Sequence, residues 1–346
     1  MRAMMLTGIR EMVGMDVPDA RISKPTDVLL RVGAVGVCGS DVHYYVRGRI
    51  GSQVVEYPYR VGHEFSAIVV EIGPGVKRLR PGDRVAVDPA MPCGQCDQCR
   101  VGRAHTCRHL RFLGCPGQAD GCLSRFIVMP ESCCFPVRGG TTLEEAAVAE
   151  PLSIGVYAVR LSVPMLGARI GILGSGPIGL CVMLSALGEG AAAVYATDKI
   201  DARLAVAQRT GASWTGNPER DDVVAAITKA EPNLLDAVFD CCGQQEALDQ
   251  AVDLLKPGGK LMVVGIPEVD RVSFSIDKLR RKEICIQNVR RQNECMQPAL
   301  DLIEQGKVDV ASLITHRFSL EESKEAFDMV ADYRDGVVKA MITVGA

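Results

Sequence analysis

The sequence has no excess of basic residues. Its 39 lysines and arginines are balanced by 42 aspartates and glutamates, which gives a formal net charge of −3. A surface that binds nucleic acid requires a cluster or stripe of positive charge, and none is evident. The sequence therefore favours a small-molecule partner over nucleic acid.

The N-terminal residues lack an apolar run long enough for a secretory signal. The uncharged run from Ile170 to Gly188 raises the question of a membrane span, but Gly174, Gly176 and Pro177 interrupt its first half. This pattern is typical of a buried strand, a tight turn and a helix start. We expect no membrane association and a cytoplasmic location, where the 14 cysteines are thiols or metal ligands rather than disulfides.

No internal repeat is evident, and 346 residues are enough for two domains. Up to about residue 151, short β-like runs alternate with turn signals, which predicts an all-β domain with long loops. Strands and helices then alternate, with predicted strands at Arg169 to Leu173 and Ala193 to Thr197 and predicted helices from about Pro177 and about Asp201. Alternation of this kind predicts a doubly wound parallel sheet with right-handed crossovers. We expect a nucleotide-binding domain over 152–287, and we expect the C-terminal segment, 288–346, to rejoin the first domain, 1–151.

One cysteine lies in an unusual setting, the stretch Gly36-Val-Cys-Gly-Ser-Asp-Val-His43, directly after a predicted strand. His63 and Glu64 follow about twenty residues after it. Together with Cys38 they offer sulfur, nitrogen and oxygen, a mixed set that suits zinc with one coordination position left open for catalysis. On these three residues alone, a core thiol beside a surface pair is an equally good interpretation.

Four further cysteines have the spacing of a metal site: Cys93, Cys96, Cys99 and Cys107. Four thiolates in a polar, glycine-containing loop can close a tetrahedral shell around zinc and leave no open position, so such a site is structural. The alternative, a redox-active pair, requires C-x-x-C at a helix start in a βαβ unit, and this loop is not one. The other nine cysteines have no ligand spacing, and we expect them to be buried as small apolar residues.

The segment Gly174-Ser-Gly-Pro-Ile-Gly179 matches the dinucleotide-binding pattern G-x-G-x-x-G, and it lies between a predicted strand and a predicted helix. Asp198 follows at the end of the next strand, where a carboxylate binds both ribose hydroxyls of NAD and repels the 2′-phosphate of NADP. This favours NAD. The alternative is that Asp198 only caps the helix that begins near Asp201.

Taken together, these motifs resemble the zinc-containing medium-chain dehydrogenase/reductase family, and within it the polyol branch. The resemblance covers almost the whole chain and implies an α/β plus β fold, in which a Rossmann domain is inserted into a GroES-like β-rich catalytic domain. The segments that carry it are Gly36 to Tyr44, Gly48 to Gly51, Gly62 to Glu64, Pro81 to Val85, the four-cysteine loop, Glu150 to Ser153, Gly174 to Gly179 and Thr315 to Phe318.

The resemblance implies a role for each residue around the predicted catalytic zinc. Cys38 and His63 match zinc ligands, and Glu64 matches a ligand that the metal exchanges for water. Glu150 matches a carboxylate that holds water or substrate at the zinc and that ligates the metal itself in related members. The choice between Glu64 and Glu150 therefore stays open.

Three residues near Cys38 match supporting positions of the family. Ser40 matches the hydroxyl beside the reacting alcohol, and His43 matches the outer end of a proton path through the cofactor ribose. Asp41 resembles the carboxylate that orients the histidine ligand, a role that metal sites generally require.

The resemblance also implies substrate and cofactor contacts. The positions that line the polyol pocket in the family are Tyr44, Phe112, Glu150 and Arg291. The positions that match NAD contacts are Gly174, Gly176, Pro177, Ile178, Gly179, Asp198, Arg203, Val264, Gly265, Ile266 and Arg291. Arg290 and Gln292 depart from the sorbitol dehydrogenase pattern, and two adjacent arginines favour an acidic or otherwise more polar substrate.

The implied activity is the zinc- and NAD-dependent oxidation of a secondary alcohol in a polyol or sugar-derived substrate to a ketone. L-Threonine 3-dehydrogenase and 2,3-butanediol dehydrogenase use the same scaffold and are alternatives. A catalytically silent NAD-binding protein with only the structural zinc is a third, and it predicts one zinc per chain instead of two. The polyol branch commonly forms homotetramers, and an edge strand near Val263 to Ile266 could extend the sheet across a dimer axis.

Overall fold

A computed structural model describes residues 1–267 and 269–345. The chain divides into two compact units. The first consists of Met1–Glu150, Ala299–Gly306 and Ile314–Ala346, and the second of Pro151–Pro298 and Lys307–Leu313. The nucleotide domain was predicted to end at residue 287, whereas the second unit continues to Pro298. The main-chain N–H of Val289 bonds to the carbonyl of Val263, and Arg160 Nη1 donates to the carbonyl of Glu294, so contacts that arise far along the chain hold this segment.

The N-terminal part of the chain is rich in short strands, as the turn-punctuated sequence predicts. Its strands are β1 (Arg2–Gly8), β2 (Glu11–Asp16), β3 (Asp27–Gly36), β4 (Arg49–Ile50), β5 (Gln53–Val54), β6 (Glu64–Ile72), β7 (Arg84–Val87), β8 (Ala90–Met91), β9 (Arg111–Phe112), β10 (Phe126–Pro130) and β11 (Cys134–Pro136). Its helices are α1 (Gly39–Arg47), α2 (Asp97–Arg100) and α3 (Leu143–Leu161).

Strands and helices alternate in the middle of the chain. The strands are β12 (Arg169–Leu173), β13 (Ala193–Thr197), β14 (Trp214–Gly216), β15 (Leu235–Asp240), β16 (Leu255–Val263) and β17 (Cys285–Asn288). The helices are α4 (Pro177–Gly188), α5 (Asp201–Arg209), α6 (Val223–Ala230), α7 (Gln245–Leu254) and α8 (Ile276–Lys282). The chain ends with α9 (Met296–Glu304), β18 (Ile314–Ser319), α10 (Ser323–Ala331) and β19 (Lys339–Thr343).

The sheet of the second unit is parallel throughout, in the order β14-β13-β12-β15-β16-β17. This is the doubly wound order of a Rossmann fold, in which ligands bind beyond the carboxyl ends of the strands where the strand order reverses. Apolar residues spaced three and four positions apart bury one face of α7 against the sheet, including Leu248, Ala251 and Val252 in the same core cluster as Val238 and Leu261.

The first unit is organised around β3, the long strand that precedes Cys38. Within one seven-stranded sheet, β3 pairs antiparallel with β6, β10 and β19. The C-terminal strand β19 therefore lies beside β3, the strand that leads into Cys38, and β6, which begins with Glu64, pairs with the other side of β3. The apolar core of this unit contains Leu30, Val32, Phe65, Val85 and Ile342 among others.

Two expectations from the sequence are wrong. Val263 does not lie at the sheet edge, because β16 pairs on both sides and the edge strand is β17. The nine cysteines outside the two clusters are not all buried, because Cys242 and Cys285 are exposed and Cys241 is partly exposed. Cysteine burial follows from the position of each strand and loop, which residue type alone does not determine. No helix among the described residues is long and apolar enough to cross a membrane.

Candidate active site

Cys38 lies at the junction between β3 and α1. It is the N-cap residue of the helix, and Val42 N–H bonds to its carbonyl at 3.1 Å. The Ser40 hydroxyl donates to Cys38 Sγ at 3.3 Å. Strand β3 ends just before Cys38, and the first turn of α1 brings the Ser40 hydroxyl back to the Cys38 thiol. The backbone at this junction therefore keeps the hydroxyl and the sulfur in contact.

His63 is buried and is oriented by a carboxylate on α1. Its Nδ1 lies 3.3 Å from Oδ1 of Asp41, which is itself only 1 % exposed. Burial by itself lowers the pKa of His63, but the charges of Asp41 and Cys38 outweigh it and raise that pKa well above its ordinary value. Because Nδ1 faces Asp41, the opposite nitrogen is left for a metal, the arrangement expected of a histidine ligand.

Glu64 begins β6 directly after His63 and is only 1 % exposed. Its Oε2 accepts a hydrogen bond of 2.6 Å from the ammonium of Lys339 on β19. The two residues are 275 positions apart in the chain, and the antiparallel pairing of β3 with both β6 and β19 brings them together.

Three ligand atoms converge without rearrangement. One atom each from Cys38, His63 and Glu64 lies within 4.8 Å of the other two. A thiolate, an imidazole and a carboxylate in this arrangement fit zinc and leave a coordination position open. The residues present therefore fit the catalytic metal that the sequence predicts.

Glu150 lies in the middle of α3 and outside this cluster of three atoms, although its charge interacts with it. Burial raises the pKa of Glu150 to about 8; the charges of Glu64 and Asp88 act in the same direction, and those of His63 and Lys339 oppose them. A buried carboxyl with a raised pKa beside a metal site is suited to exchange a proton near neutral pH.

Hydrogen bonds connect three side chains, Tyr44, Gln53 and Cys115, in the same unit as the cluster. The Tyr44 hydroxyl donates to Gln53 Oε1 at 3.1 Å, and Gln53 Nε2 donates to Cys115 Sγ at 2.7 Å. The ring of Phe112 packs at 5.4 Å from the ring of His63. Tyr44 and Phe112 were predicted substrate residues. The structure adds Gln53, whose amide is held by both neighbours.

The four-cysteine loop also forms a compact cluster. One sulfur from each of Cys93, Cys96, Cys99 and Cys107 lies within 4.8 Å of the others. Backbone N–H groups of Cys99 and Arg108 lower the pKa of Cys96 to about 6, and those of Gln95 and Cys96 lower the pKa of Cys93. Burial and the neighbouring thiols of Cys96 and Cys107 raise the pKa of Cys99 to about 12 instead. The proximity of the four sulfurs is therefore what fits a closed tetrahedral shell around zinc.

Asp97 and Arg108 join the two halves of that loop. The guanidinium of Arg108 donates to both carboxylate oxygens of Asp97, at 2.6 and 2.9 Å. This paired geometry holds the segment of Cys96 beside that of Cys107.

In the second unit, the glycine motif forms the turn between β12 and α4. Gly174 has φ +100°, which a residue with a side chain rarely adopts, and a Cβ on Gly179 would lie 1.9 Å from the carbonyl oxygen of Gly174. The first position therefore requires glycine for the turn and the last for close packing of helix on strand. Gly176 is the N-cap of α4, Pro177 begins the helix, and Ile178 follows half-buried in its first turn.

Asp198 follows β13 and lies against this turn. Its two oxygens accept from Ser175 N–H and from Ile200 N–H, both at 2.8 Å, and Oδ2 lies 4.0 Å from Nη1 of Arg203. The N-cap of α5 is Ile200, without a side-chain cap, so Asp198 is bonded to the glycine-rich turn rather than acting as the helix cap.

The remaining predicted cofactor residues lie at two other places in the same unit. Val264 N–H and Gly265 N–H both donate to the carbonyl of Asp240 at 2.9 Å, at the carboxyl end of β16, and Ile266 is exposed. Arg291 is half-buried, with φ +55°. Arg290 beside it is exposed.

Comparisons with known proteins agree with this geometry. The family model of the alcohol dehydrogenase GroES-like domain matches residues 24–139, and that of the zinc-binding dehydrogenases matches residues 177–305. Sorbitol dehydrogenase of Bacillus subtilis is 33 % identical over 317 residues, which is 91 % of this chain and 90 % of the relative. The chain belongs to the zinc-containing medium-chain dehydrogenases, in their polyol branch. The predicted fold class and family are confirmed.

Two other proteins resemble this dehydrogenase over most of its length. L-Idonate 5-dehydrogenase of Vitis vinifera is 36 % identical over 314 residues, covering 89 % of this chain and 85 % of the relative. The crystal structure of an Escherichia coli oxidoreductase of unknown specificity superimposes with a TM-score of 0.94 and 28 % identity, covering 100 % of this chain and 99 % of that one. Both are full-length likenesses.

Sequence reasoning missed Lys339, Gln53 and Cys115 in this dehydrogenase. Lys339 carried a signal, because it is the only charged residue in the apolar run from Val337 to Val344. Gln53 and Cys115 carried none, because their hydrogen bond joins loops 62 positions apart.

Proposed function

We propose that this dehydrogenase oxidises a secondary hydroxyl of a polyol or a sugar-derived acid to a ketone with NAD. The observation that carries the proposal is the buried set of one sulfur, one nitrogen and one oxygen ligand within 4.8 Å, formed by Cys38, His63 and Glu64. A closed structural site needs a fourth protein ligand, whereas three ligands leave a position for a substrate.

The chain's own groups position the substrate and move its proton. Zinc in this site supplies Lewis acidity toward the substrate hydroxyl, and NAD supplies the hydride acceptor. Asp41 fixes the orientation of His63, and Ser40 accepts the substrate proton at its hydroxyl as its own proton passes toward His43. Glu150, whose pKa is raised to about 8, offers a second route for the proton.

We propose that the substrate is bound by Tyr44 and Phe112 in the first unit and by Arg291. The ring of Phe112 packs against that of His63, and the hydrogen bond from Tyr44 to Gln53 fixes the direction of the Tyr44 hydroxyl. Arg291 is proposed to contact both substrate and cofactor. Two of the compared relatives are named for sorbitol and for L-idonate, a polyol and an acid, which supports both substrate classes.

The proposal is tested by NADH formation on protein whose zinc content has been measured. The substrates are sorbitol, xylitol, L-iditol, galactitol, L-idonate, L-threonine and 2,3-butanediol. We expect turnover of a polyol or an aldonate to exceed turnover of L-threonine and 2,3-butanediol. A preference for either of the last two would assign the chain to those activities instead. Absence of turnover with all substrates at one zinc per chain would support the silent binding protein.

NAD is proposed over NADP because Asp198 lies against the glycine-rich turn. Replacing Asp198 with alanine removes the carboxylate that repels a 2′-phosphate and frees Arg203, now 4.0 Å away, to attract one. We expect the ratio of kcat/KM for NAD to that for NADP to fall by about 100-fold, equivalent to about 3 kcal/mol. Steady-state kinetics with both cofactors measures this ratio.

Asp201→Ala is the matched control for that change. Asp201 is another carboxylate three positions on, but it pairs with Arg220 on the protein surface at 2.6 Å. We expect the control to leave the cofactor ratio at the wild-type value. An unchanged ratio in Asp198→Ala would locate cofactor selectivity elsewhere.

We further propose a division of labour between the two parts of the chain, with two zinc ions per chain. The first unit (Met1–Glu150, Ala299–Gly306 and Ile314–Ala346) holds both metals, and the second unit (Pro151–Pro298 and Lys307–Leu313) holds NAD. The free thiols of Cys241, Cys242 and Cys285 outside the clusters support a reducing, cytoplasmic location.

A homotetramer is proposed as the assembly. Strand β17 pairs on one side only among the described residues, and so does β2, whose Val13 and Met15 are exposed. Two open edges can each pair with a copy of themselves about a two-fold axis, and two such axes generate a tetramer. A solution mass other than that of four chains, measured by light scattering, would contradict this assembly.

A further inference from the structure

Lys339 is a lysine in an interior position. It lies in β19, and only 2 % of its side chain is exposed. Lysine is almost never fully buried unless it is paired, because its charge is costly to remove from water. The position therefore requires a dedicated partner.

Two hydrogen-bond partners of Lys339 adjoin the candidate metal ligands. Its Nζ donates to Glu64 Oε2 at 2.6 Å and to the carbonyl of Val37 at 3.2 Å. Val37 immediately precedes Cys38, and Glu64 immediately follows His63. The ammonium therefore lies beside the metal centre and bonds to one of its three candidate ligands.

The backbone leaves room for this contact at Gly36. A Cβ on Gly36 would lie 2.5 Å from Glu64 Oε2 and 3.4 Å from Cδ of Lys339. In the sheet, Gly36 is paired with Glu64 on one side and with Met341 on the other. The pairing of three strands, β6, β3 and β19, therefore sets the position of the ammonium against the Glu64 carboxylate. An ion pair on the protein surface does not need such a framework.

We propose that Lys339 is a positioning residue of the metal centre that shares Glu64 with the zinc. The ammonium holds one carboxylate oxygen and leaves only the other for the metal. When no metal is bound, the ammonium of Lys339 compensates the buried negative charge of Glu64. When zinc is bound, the same positive charge repels the divalent cation. Lys339 therefore lowers the zinc affinity of the site. This inference rests on the metal centre proposed above.

Lys339→Met tests the proposal through zinc release instead of turnover. A chelator that changes colour when it binds zinc withdraws the metal from the holoenzyme, and the absorbance records the kinetic phases of zinc release. The phase that Cys38→Ala lacks is assigned to this site. We expect release from that phase to be on the order of ten-fold slower in Lys339→Met, the scale on which groups outside the ligand shell change metal affinity. We also expect zinc to raise the melting temperature more in the variant than in the wild type.

A second pair of variants separates a role through Glu64 from a general effect on folding. In a Glu64→Gln background, replacing Lys339 with methionine is expected to slow release by less than it does in the wild type, because only the direct repulsion between the ammonium and the cation is then removed. Equal slowing in both backgrounds would contradict a role through Glu64. Lys282→Met is the control for loss of a partly buried lysine, because its Nζ donates to the carbonyls of Val252, Asp253 and Leu255 in the second unit.

The outcomes distinguish this inference from the proposed function. Release that is equally fast or faster in Lys339→Met, with two zincs in the wild type, overturns the role of Lys339 alone. One zinc in the wild type overturns the metal centre and the inference together. Should Lys339→Met not fold, Lys339→Gln, which keeps a polar group without the charge, is expected to show the same slower release.

Discussion

Replacing Cys38 with alanine is expected to lower kcat/KM for the preferred substrate by about a thousand-fold or more. The change removes one of three candidate zinc ligands, and Lewis-acid stabilisation of the transition state contributes several kcal/mol, with each 1.36 kcal/mol worth a factor of ten in rate. His63→Ala is expected to have the same effect. Initial rates of NADH formation, together with zinc content, measure the loss.

NAD binding serves as the internal control for this experiment. The glycine-rich turn and Asp198 belong to the second unit, so titration of NADH fluorescence is expected to give the wild-type dissociation constant in Cys38→Ala. Cys285→Ala, which removes an exposed thiol outside both clusters, is expected to retain activity and both zincs. Activity retained in Cys38→Ala would refute the catalytic role of the cluster.

The double change Cys96→Ser and Cys99→Ser is expected to remove the other zinc and to destabilise the first unit. A structural zinc contributes directly to the free energy of folding, and its loss belongs to the small class of changes that cost about 4 kcal/mol. For a unit of this size, about 2 to 4 °C is lost per kcal/mol, so the melting temperature is expected to fall by roughly 10 °C. Calorimetry and elemental analysis measure the two effects.

The matched control carries the same number of cysteine-to-serine changes. Cys242 and Cys285 are exposed and belong to neither cluster, so replacing both is expected to leave two zincs and the melting temperature unchanged. If the Cys96 and Cys99 variant instead kept two zincs, the loop would not be a metal site. The hydrogen-bonded pair of Asp97 and Arg108 would then have to account for its order.

Local signals in the sequence predicted the second unit well. The predicted strands Arg169 to Leu173 and Ala193 to Thr197 agree with the structure at both ends, and the helices begin at Pro177 and Asp201 as expected. Short apolar runs bounded by glycine and proline predict where these strands and helices begin and end. Such bounds can be predicted because they depend on residues that are close in the sequence.

The sequence did not predict which strand lies at the edge of that sheet. The order of strands depends on how the crossovers between them pack, which no single run of residues shows. For the same reason Cys285 was expected to be buried and is exposed. The residue type gives only an average tendency to be buried. Whether a given side chain is buried depends on which elements pack against its face of the strand or helix.

The metal sites illustrate the same division. Sulfur, nitrogen and oxygen ligands, the four-cysteine spacing and the glycine motif could all be recognised because each lies within a short stretch of chain. By itself, the sequence therefore determined the kinds of chemistry available: a zinc-binding cysteine loop, a mixed ligand set and a dinucleotide turn.

Only the tertiary structure decided how those groups are combined. It placed Glu64, rather than Glu150, in the three-atom cluster, and it placed Lys339 against Glu64 from 275 residues away. The physical reason is that the burial and charge balance of a carboxylate depend on every strand packed against it. Those strands come from distant parts of the chain, and they become neighbours only when the sheet has formed.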